Sequence, residues 1–225
     1  MYVSDFEKND ISAKNQVGTF KLVESFYKEN SILKIMFVGN SITRHDICLK
    51  VGWDRDCGMA ASCKEKDYVH QTVTMLEKKY GNTDYCIVQA ADWERNFDNQ
   101  EILKKFSKAK EFDADILVIR IGENTDREKL KIFDYACFFE KMVDYFRNDH
   151  CKTVITSLFW RFDPIDLPIQ GVAKKRNFSY IPLYDLGARA EYKAIEEFGD
   201  NGTGHHPNDN GMKCIAERIV SAINK

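Results

Sequence analysis

Three short segments carry residue types that can do acyl-transfer chemistry. Gly39-Asn40-Ser41 directly follows the apolar run Ile35-Met36-Phe37-Val38. A serine hydroxyl at the carboxyl edge of a buried strand can serve as a nucleophile. The glycine permits a tight turn, and a helix opening after Ser41 would offer unpaired N–H groups to a developing oxyanion. The bland reading is that Asn40 or Ser41 merely caps a helix or turn. Gly122-Glu123-Asn124 follows Ile116-Leu117-Val118-Ile119 in the same way. The Asn124 amide is a neutral donor suited to a carbonyl oxygen that becomes negative, and its bland alternative is an Asx turn capping a helix that begins near Asp126. Last, His205-His206-Pro207 stands at the mouth of a C-terminal amphipathic segment. A histidine there can face the strand ends and act as general base toward a serine hydroxyl. Adjacent histidines could instead hold a metal, but no third histidine or carboxylate stands at ligand spacing beside them, and two solvated loop histidines are the remaining alternative.

The elements that would position these residues follow a βα rhythm. Apolar runs at residues 32–38, 85–88, 116–119 and 153–156, with a weaker one at 180–183, alternate with segments 66–80, 99–112, 127–148 and 208–223, whose apolar residues recur at spacings of three and four. Nearly continuous apolar strands point to a parallel sheet covered on both faces, a doubly wound, flavodoxin-like α/β/α sandwich of five strands. Ligands of such sheets bind outside the carboxyl ends of the strands, where Ser41 and Asn124 fall. Residues 1–30 read as an N-terminal appendage and 31–225 as the domain proper; within the appendage, 19–27 reads as an amphipathic helical turn or a stray edge strand.

Length and composition restrict the partners. A chain of 225 residues, 44% hydrophobic, supports one core. A net charge of -2 gives no bulk positive field, so nucleic acid and acidic membrane surfaces are not expected partners. The charged N-terminus lacks the apolar stretch of a signal peptide, and no run approaches the ~20 apolar residues of a membrane span. Seven scattered cysteines without a CxxC pair fit reduced thiols, hence a cytoplasmic protein.

In this order, the three segments resemble the blocks of the SGNH hydrolase superfamily, the GDSL-like lipases and esterases, over most of the chain from about residue 32. The resemblance maps the nucleophile to Ser41, the oxyanion-hole asparagine to Asn124 (with Thr125 where the family has Asp), and the base to His206 in Thr203-Gly204-His205-His206-Pro207, rather than to His205. Trp53, Gly58-Met59-Ala60-Ala61-Ser62 and Lys66-Asp67-Tyr68-Val69-His70 look like an uncharacterised subfamily of these proteins. No cofactor or metal is implied. Two departures stand out. The acid that the family places three residues before the histidine is Thr203 here, so Ser41 and His206 act either as a dyad or with another carboxylate or a carbonyl, for which Asp200, Asp209 and Asp92 are candidates. The second-block glycine, whose N–H helps form the oxyanion hole, falls by offset on Glu94 in Gln89-Ala90-Ala91-Asp92-Trp93-Glu94.

The expected reaction is hydrolysis of a small-molecule or glycan ester with a small acyl group, such as acetyl on a carbohydrate. Trp53, Trp93, Trp160, Arg161 and Phe162 would wall the pocket or simply pack the core. The rival readings are a catalytically weak SGNH-like protein that binds a glycan or acylated ligand, and an O-acyltransferase that uses the same residues. A flavodoxin-like phosphate binder would need a glycine-rich loop after the first strand, which Gly39-Asn40-Ser41-Ile42-Thr43-Arg44 does not provide.

Overall fold

The computed structural model describes residues 21–224. Its sheet has six strands in the order β1-β3-β2-β4-β5-β6: β1 Val23–Phe26, β2 Leu33–Gly39, β3 Thr83–Gln89, β4 Ile116–Arg120, β5 Lys152–Thr156 and β6 Ser179–Ile181. The five parallel strands are those read from the apolar runs. The sixth, β1, pairs antiparallel with β3 from Val23↔Val88 to Phe26↔Tyr85, so this part of residues 1–30 joins the sheet as an edge strand. Phe26 stacks on Tyr85 with ring centroids 4.4 Å apart. Residues 1–20 of the expected appendage lie outside the described residues.

Four longer helices cover the sheet: α1 Tyr68–Tyr80, α2 Tyr135–Phe146, α3 Asp163–Lys175 and α4 Asp209–Ile223. Helix α1 starts two residues later than its apolar periodicity because Asp67 caps it, accepting the His70 N–H at 2.8 Å. The segment 127–148 is not one helix. It breaks after Leu130 and restarts behind Asp134, whose side chain accepts the Ala136 N–H at 3.0 Å. Likewise 99–112 is a 3-10 stretch, Gln100–Phe106, followed by one α turn, Ser107–Lys110; the tighter winding still buries Ile102, Leu103 and Phe106. Helix α3 was hidden in the sequence by Pro164 and Pro168, yet it buries the stripe Ile165, Ile169, Val172 and Ala173. A proline near a helix start costs little, because the N–H it lacks has no partner there.

Helix α1 packs on α4, and α2 on α3. From β2 the chain moves to β3 on one side and later to β4 on the other, so with right-handed crossovers the two helix pairs cover opposite faces. The point where the winding reverses lies between β2 and β4, and Gly39 sits there with Gln89 and Arg120 as its register partners. All three candidate strand ends therefore meet at one crevice.

Close packing at that point requires glycine. A Cβ on Gly39 would lie 1.9 Å from Thr43 Oγ1 and 2.7 Å from the Arg120 carbonyl oxygen. By contrast, Gly171 in α3 has open space where a Cβ would stand. In urea titrations Gly39→Ala is expected to lower stability by about 1–3 kcal/mol or more through overpacking, whereas Gly171→Ala is expected to raise it by about 0.5–1 kcal/mol. Equal midpoints for the two variants would contradict this account of the crevice.

Candidate active site

Ser41 and His206, 165 positions apart, are brought into contact: Ser41 Oγ lies 2.8 Å from His206 Nε2. Ser41 is held in a turn rather than at a helix start. The Thr43 and Arg44 N–H groups both bond the Asn40 carbonyl, and the Ser41 carbonyl accepts from Met59 N–H. The expected helix dipole behind Ser41 is thus not present; a short 3-10 turn comes only at Leu49–Val51.

His206 is fully buried on a loop with several anchors. Its N–H bonds the Thr203 carbonyl, its carbonyl accepts from Ala194 N–H, and Asn208 caps α4 with Oδ1 3.0 Å from Gly211 N. The ring Nδ1 is 2.7 Å from the carbonyl oxygen of Gly202. A carbonyl only accepts, so Nδ1 carries the proton, Nε2 of the neutral ring is a lone pair, and the Ser41 hydroxyl donates to it. Burial lowers the His206 pKa to about 3, against an upward pull from the Gly202 bond. The ring is therefore a neutral base at ordinary pH.

Among the described residues, no carboxylate stands behind that ring. Asp200 lies 2.5 Å from His205 Nε2, Asp209 accepts from the Ser62 N–H and hydroxyl, and Asp92 pairs with Lys105 at 2.8 Å. These three candidates are corrected to the Gly202 carbonyl. Thr203, in the family's acid position, donates its hydroxyl to the Val51 carbonyl at 2.9 Å and so ties the histidine loop to the loop after β2. His205 packs behind the site, its carbonyl accepting from Trp160 Nε1 at 3.2 Å.

Asn124 and Glu94 are also brought together, in a way the sequence did not disclose. The Glu94 N–H, expected as an oxyanion donor, instead bonds the Ala90 carbonyl at 3.3 Å within the helical turn Ala91–Arg95. Its carboxylate is fully buried. Oε2 accepts Asn124 Nδ2 at 2.6 Å, and Oε1 accepts Gly122 N at 2.6 Å, Asn124 N at 3.3 Å and Asn40 Nδ2 at 2.9 Å. The second Asn40 Nδ2 proton goes to Glu123 Oε2 at 2.7 Å. Glu123 forms a two-pronged pair with Arg120 at 2.7 and 2.8 Å, and Arg120 also donates to Asn40 Oδ1 at 2.6 Å. Burial and then the Glu123 charge raise the Glu94 pKa, opposed by its bonds to Asn124, Asn40 and Gly122. Ser41, through its neighbour Asn40, and Asn124 thus share one buried network.

Of the aromatic residues expected to wall a pocket, Trp53 and Trp93 are fully buried in the core. Trp160 packs edge-on against His206, centroids 5.2 Å apart. Its loop is held by Asp166, which accepts from Leu158 N and Phe162 N, both at 2.8 Å, and by Glu123, which accepts from Phe159 N at 3.1 Å. Arg161 is exposed, lies over the Tyr184 ring and pairs with Asp163. Sequence reasoning missed Gly202, Asn40, Arg120 and Glu123. Gly202 acts through its backbone and leaves no signal. Arg120 did leave one: a charge ending a strand that is otherwise apolar, with an acid three residues on. Among the described residues no group of three or more His, Cys, Asp and Glu side chains could hold a metal ion, and no helix is long and apolar enough to cross a membrane.

The fold is that of the SGNH, or GDSL-like, hydrolases. Similar solved structures include the psychrotrophic esterase EstA from Pseudoalteromonas sp. (10% identity, TM-score 0.57, covering 85% of this chain and 96% of that one). A protein described as a GDSL-like lipase from Parabacteroides merdae is 17% identical, with a TM-score of 0.53, covering 86% and 96%. The acetylxylan esterase Axe2 from Geobacillus stearothermophilus, as a catalytic mutant, is 13% identical, with a TM-score of 0.51, covering 88% and 97%. No protein-family model matches the chain, and no curated protein matches it.

The buried base yields a direct test. Nitrogen-proton NMR of the His206 ring is expected to show the neutral Nδ1–H tautomer unchanged from about pH 8 to about pH 5, whereas an unperturbed histidine titrates near ~6.5. Conversion of this ring to imidazolium around that ordinary value would show that burial does not govern its charge.

Proposed function

We propose that this chain is a serine esterase, with Ser41 as nucleophile and His206 as general base. The observation that carries the reading is the Ser41 Oγ to His206 Nε2 contact of 2.8 Å, with the opposite ring nitrogen fixed by Gly202. His206 takes the hydroxyl proton as Ser41 Oγ attacks the ester carbonyl; the Asn124 amide and the Ser41 N–H hold the oxyanion. His206 then protonates the departing alcohol oxygen. In the second half, water gives a proton to His206 and attacks the acyl-serine, and His206 returns that proton to Ser41 Oγ as the acid is released.

A triad acid has two tasks, holding the tautomer and stabilising the imidazolium. The Gly202 carbonyl performs the first fully and the second only through its dipole. Slower turnover than from a carboxylate-backed triad is the consequence, and this feature also favours the second reading, a protein that binds a glycan or acylated ligand without turnover. An O-acyltransferase would use the same acyl-serine with a sugar hydroxyl as acceptor.

Acetyl esters of carbohydrates are the proposed substrates. A Ser41 only 6% exposed suits a small acyl group, and similar folds include the acetylxylan esterase above and a two-domain esterase active on acetylated mannans (16% identity, TM-score 0.57, covering 85% of this chain and 49% of that one). All seven cysteines are free thiols, which supports a cytoplasmic setting.

The test is hydrolysis of p-nitrophenyl acetate and a longer-chain homologue. Ser41→Ala and His206→Ala are expected to lose about 10³-fold or more in kcat, His205→Ala to keep most activity, and the acetate to be preferred. Wild-type protein that matches Ser41→Ala on every ester, acetylated glycans included, would reject the esterase reading in favour of ligand binding.

A further inference from the structure

Glu94 is the member of the buried network that touches both Asn124 and Asn40, and the esterase mechanism gives it no role. A carboxylate removed from water is costly unless its oxygens are satisfied. Here four N–H donors converge on it, from Gly122, Asn40 and both nitrogens of Asn124. Its backbone N–H is already engaged with Ala90, so any role lies in the side chain. We propose that the Glu94 carboxylate is the positioning residue of the oxyanion site, fixing the flip of the Asn124 amide and the spacing between Asn124 and the Ser41 turn. This deepens the esterase reading and rests on it.

The argument is one of hydrogen-bond polarity. The two ends of an asparagine amide are nearly the same shape, and its terminal torsion is roughly two-fold, so the backbone alone does not select which end faces the substrate. The wrong flip would present a carbonyl oxygen to the oxyanion. An ionised carboxylate accepts and never donates, so Glu94 Oε2 binds the NH₂ end of Asn124 and excludes the carbonyl end. One Nδ2 proton is held at 2.6 Å by Glu94, and the other remains for the substrate oxygen. Oε1 of the same carboxylate holds Asn40, the residue before the nucleophile. One group therefore sets both halves of the attack geometry. Glutamine in its place would have a single acceptor oxygen and would turn an NH₂ either toward Asn124 or toward Asn40 and Gly122, all of them donors.

A double-mutant cycle on Ser41-dependent ester hydrolysis tests this, with kcat and KM measured for wild type, Glu94→Gln, Asn124→Ala and the double variant. Loss of one oxyanion donor costs roughly 10²–10³-fold in kcat. Glu94→Gln is expected to approach the lower figure with KM changed by less than about threefold, and the double variant to be no slower than Asn124→Ala alone. Multiplying losses, or a Glu94→Gln kcat within about threefold of wild type, would overturn the proposal. A second readout needs neither turnover nor a folded variant. In wild-type protein one Asn124 side-chain amide proton should be shifted downfield and protected from exchange, and two freely exchanging protons would also overturn it. Absence of Ser41-dependent turnover would reject the esterase reading, while the amide signal would still decide whether Glu94 fixes Asn124.

Discussion

Arg120 ends β4 with its guanidinium wholly out of water, and the carboxyl edge of the sheet is organised around satisfying it. Removing one partner from a buried ion pair typically costs about 3–5 kcal/mol, so the groups that surround this cation are not free to wander. Glu123 meets its two terminal nitrogens with two oxygens and Asn40 adds its amide oxygen, while the buried Nε has no hydrogen-bond partner among the described residues. Because Asn40 follows β2, Glu123 follows β4, and Glu123 also holds the Phe159 N–H after β5, satisfying one charge ties three strand ends together. Glu94 extends the same network to the end of β3. Polar groups in such a place either complete a unique arrangement or leave costly orphans. The positions of Ser41 and Asn124 are consequences of that constraint as much as of the backbone.

The histidine side of the crevice is built differently, from backbone groups and packing. Trp160 lies against the ring, Gly202 fixes the proton on Nδ1, and Thr203 bonds the Val51 carbonyl. A carbonyl rather than a carboxylate fixes His206 in the Nδ1–H tautomer and, in the proposed mechanism, gives up part of the imidazolium's stabilisation. Burial disfavours the charged ring, and the Gly202 bond, which favours it, offsets that only in part. This half of the site is consequently held by backbone bonds and packing, with no ion pair at the His206 ring among the described residues.

Much of the fold was legible along the chain. Four buried parallel strands announced themselves as apolar runs, because strands covered on both faces need apolar residues at nearly every position; the fifth, β6, is only partly buried and gave a weaker run. Helices α1 and α4 showed through their periodicity. Where the reading failed, a competing local interaction had intervened: Asp134 restarted a helix, and Pro164 and Pro168 obscured α3. The sequence of the short, half-buried β1 leaves open a helical turn or an edge strand, and the structure makes it the strand.

For the site itself, the sequence by itself determined the chemistry at three strand and helix ends: a hydroxyl at Ser41, an amide at Asn124, an imidazole at His206. Small residues and turn-forming neighbours mark such places locally, so residue type and spacing were enough to find them. Only the tertiary structure decided what each group touches. It set Gly202 behind His206, moved Asp200, Asp209 and Asp92 to other partners, and turned Glu94 from a backbone donor into a buried carboxylate that grips Asn124. The physical reason is that hydrogen bonds between groups 28 to 165 positions apart depend on where the folded strands bring their ends, and a backbone carbonyl acts without regard to its side chain.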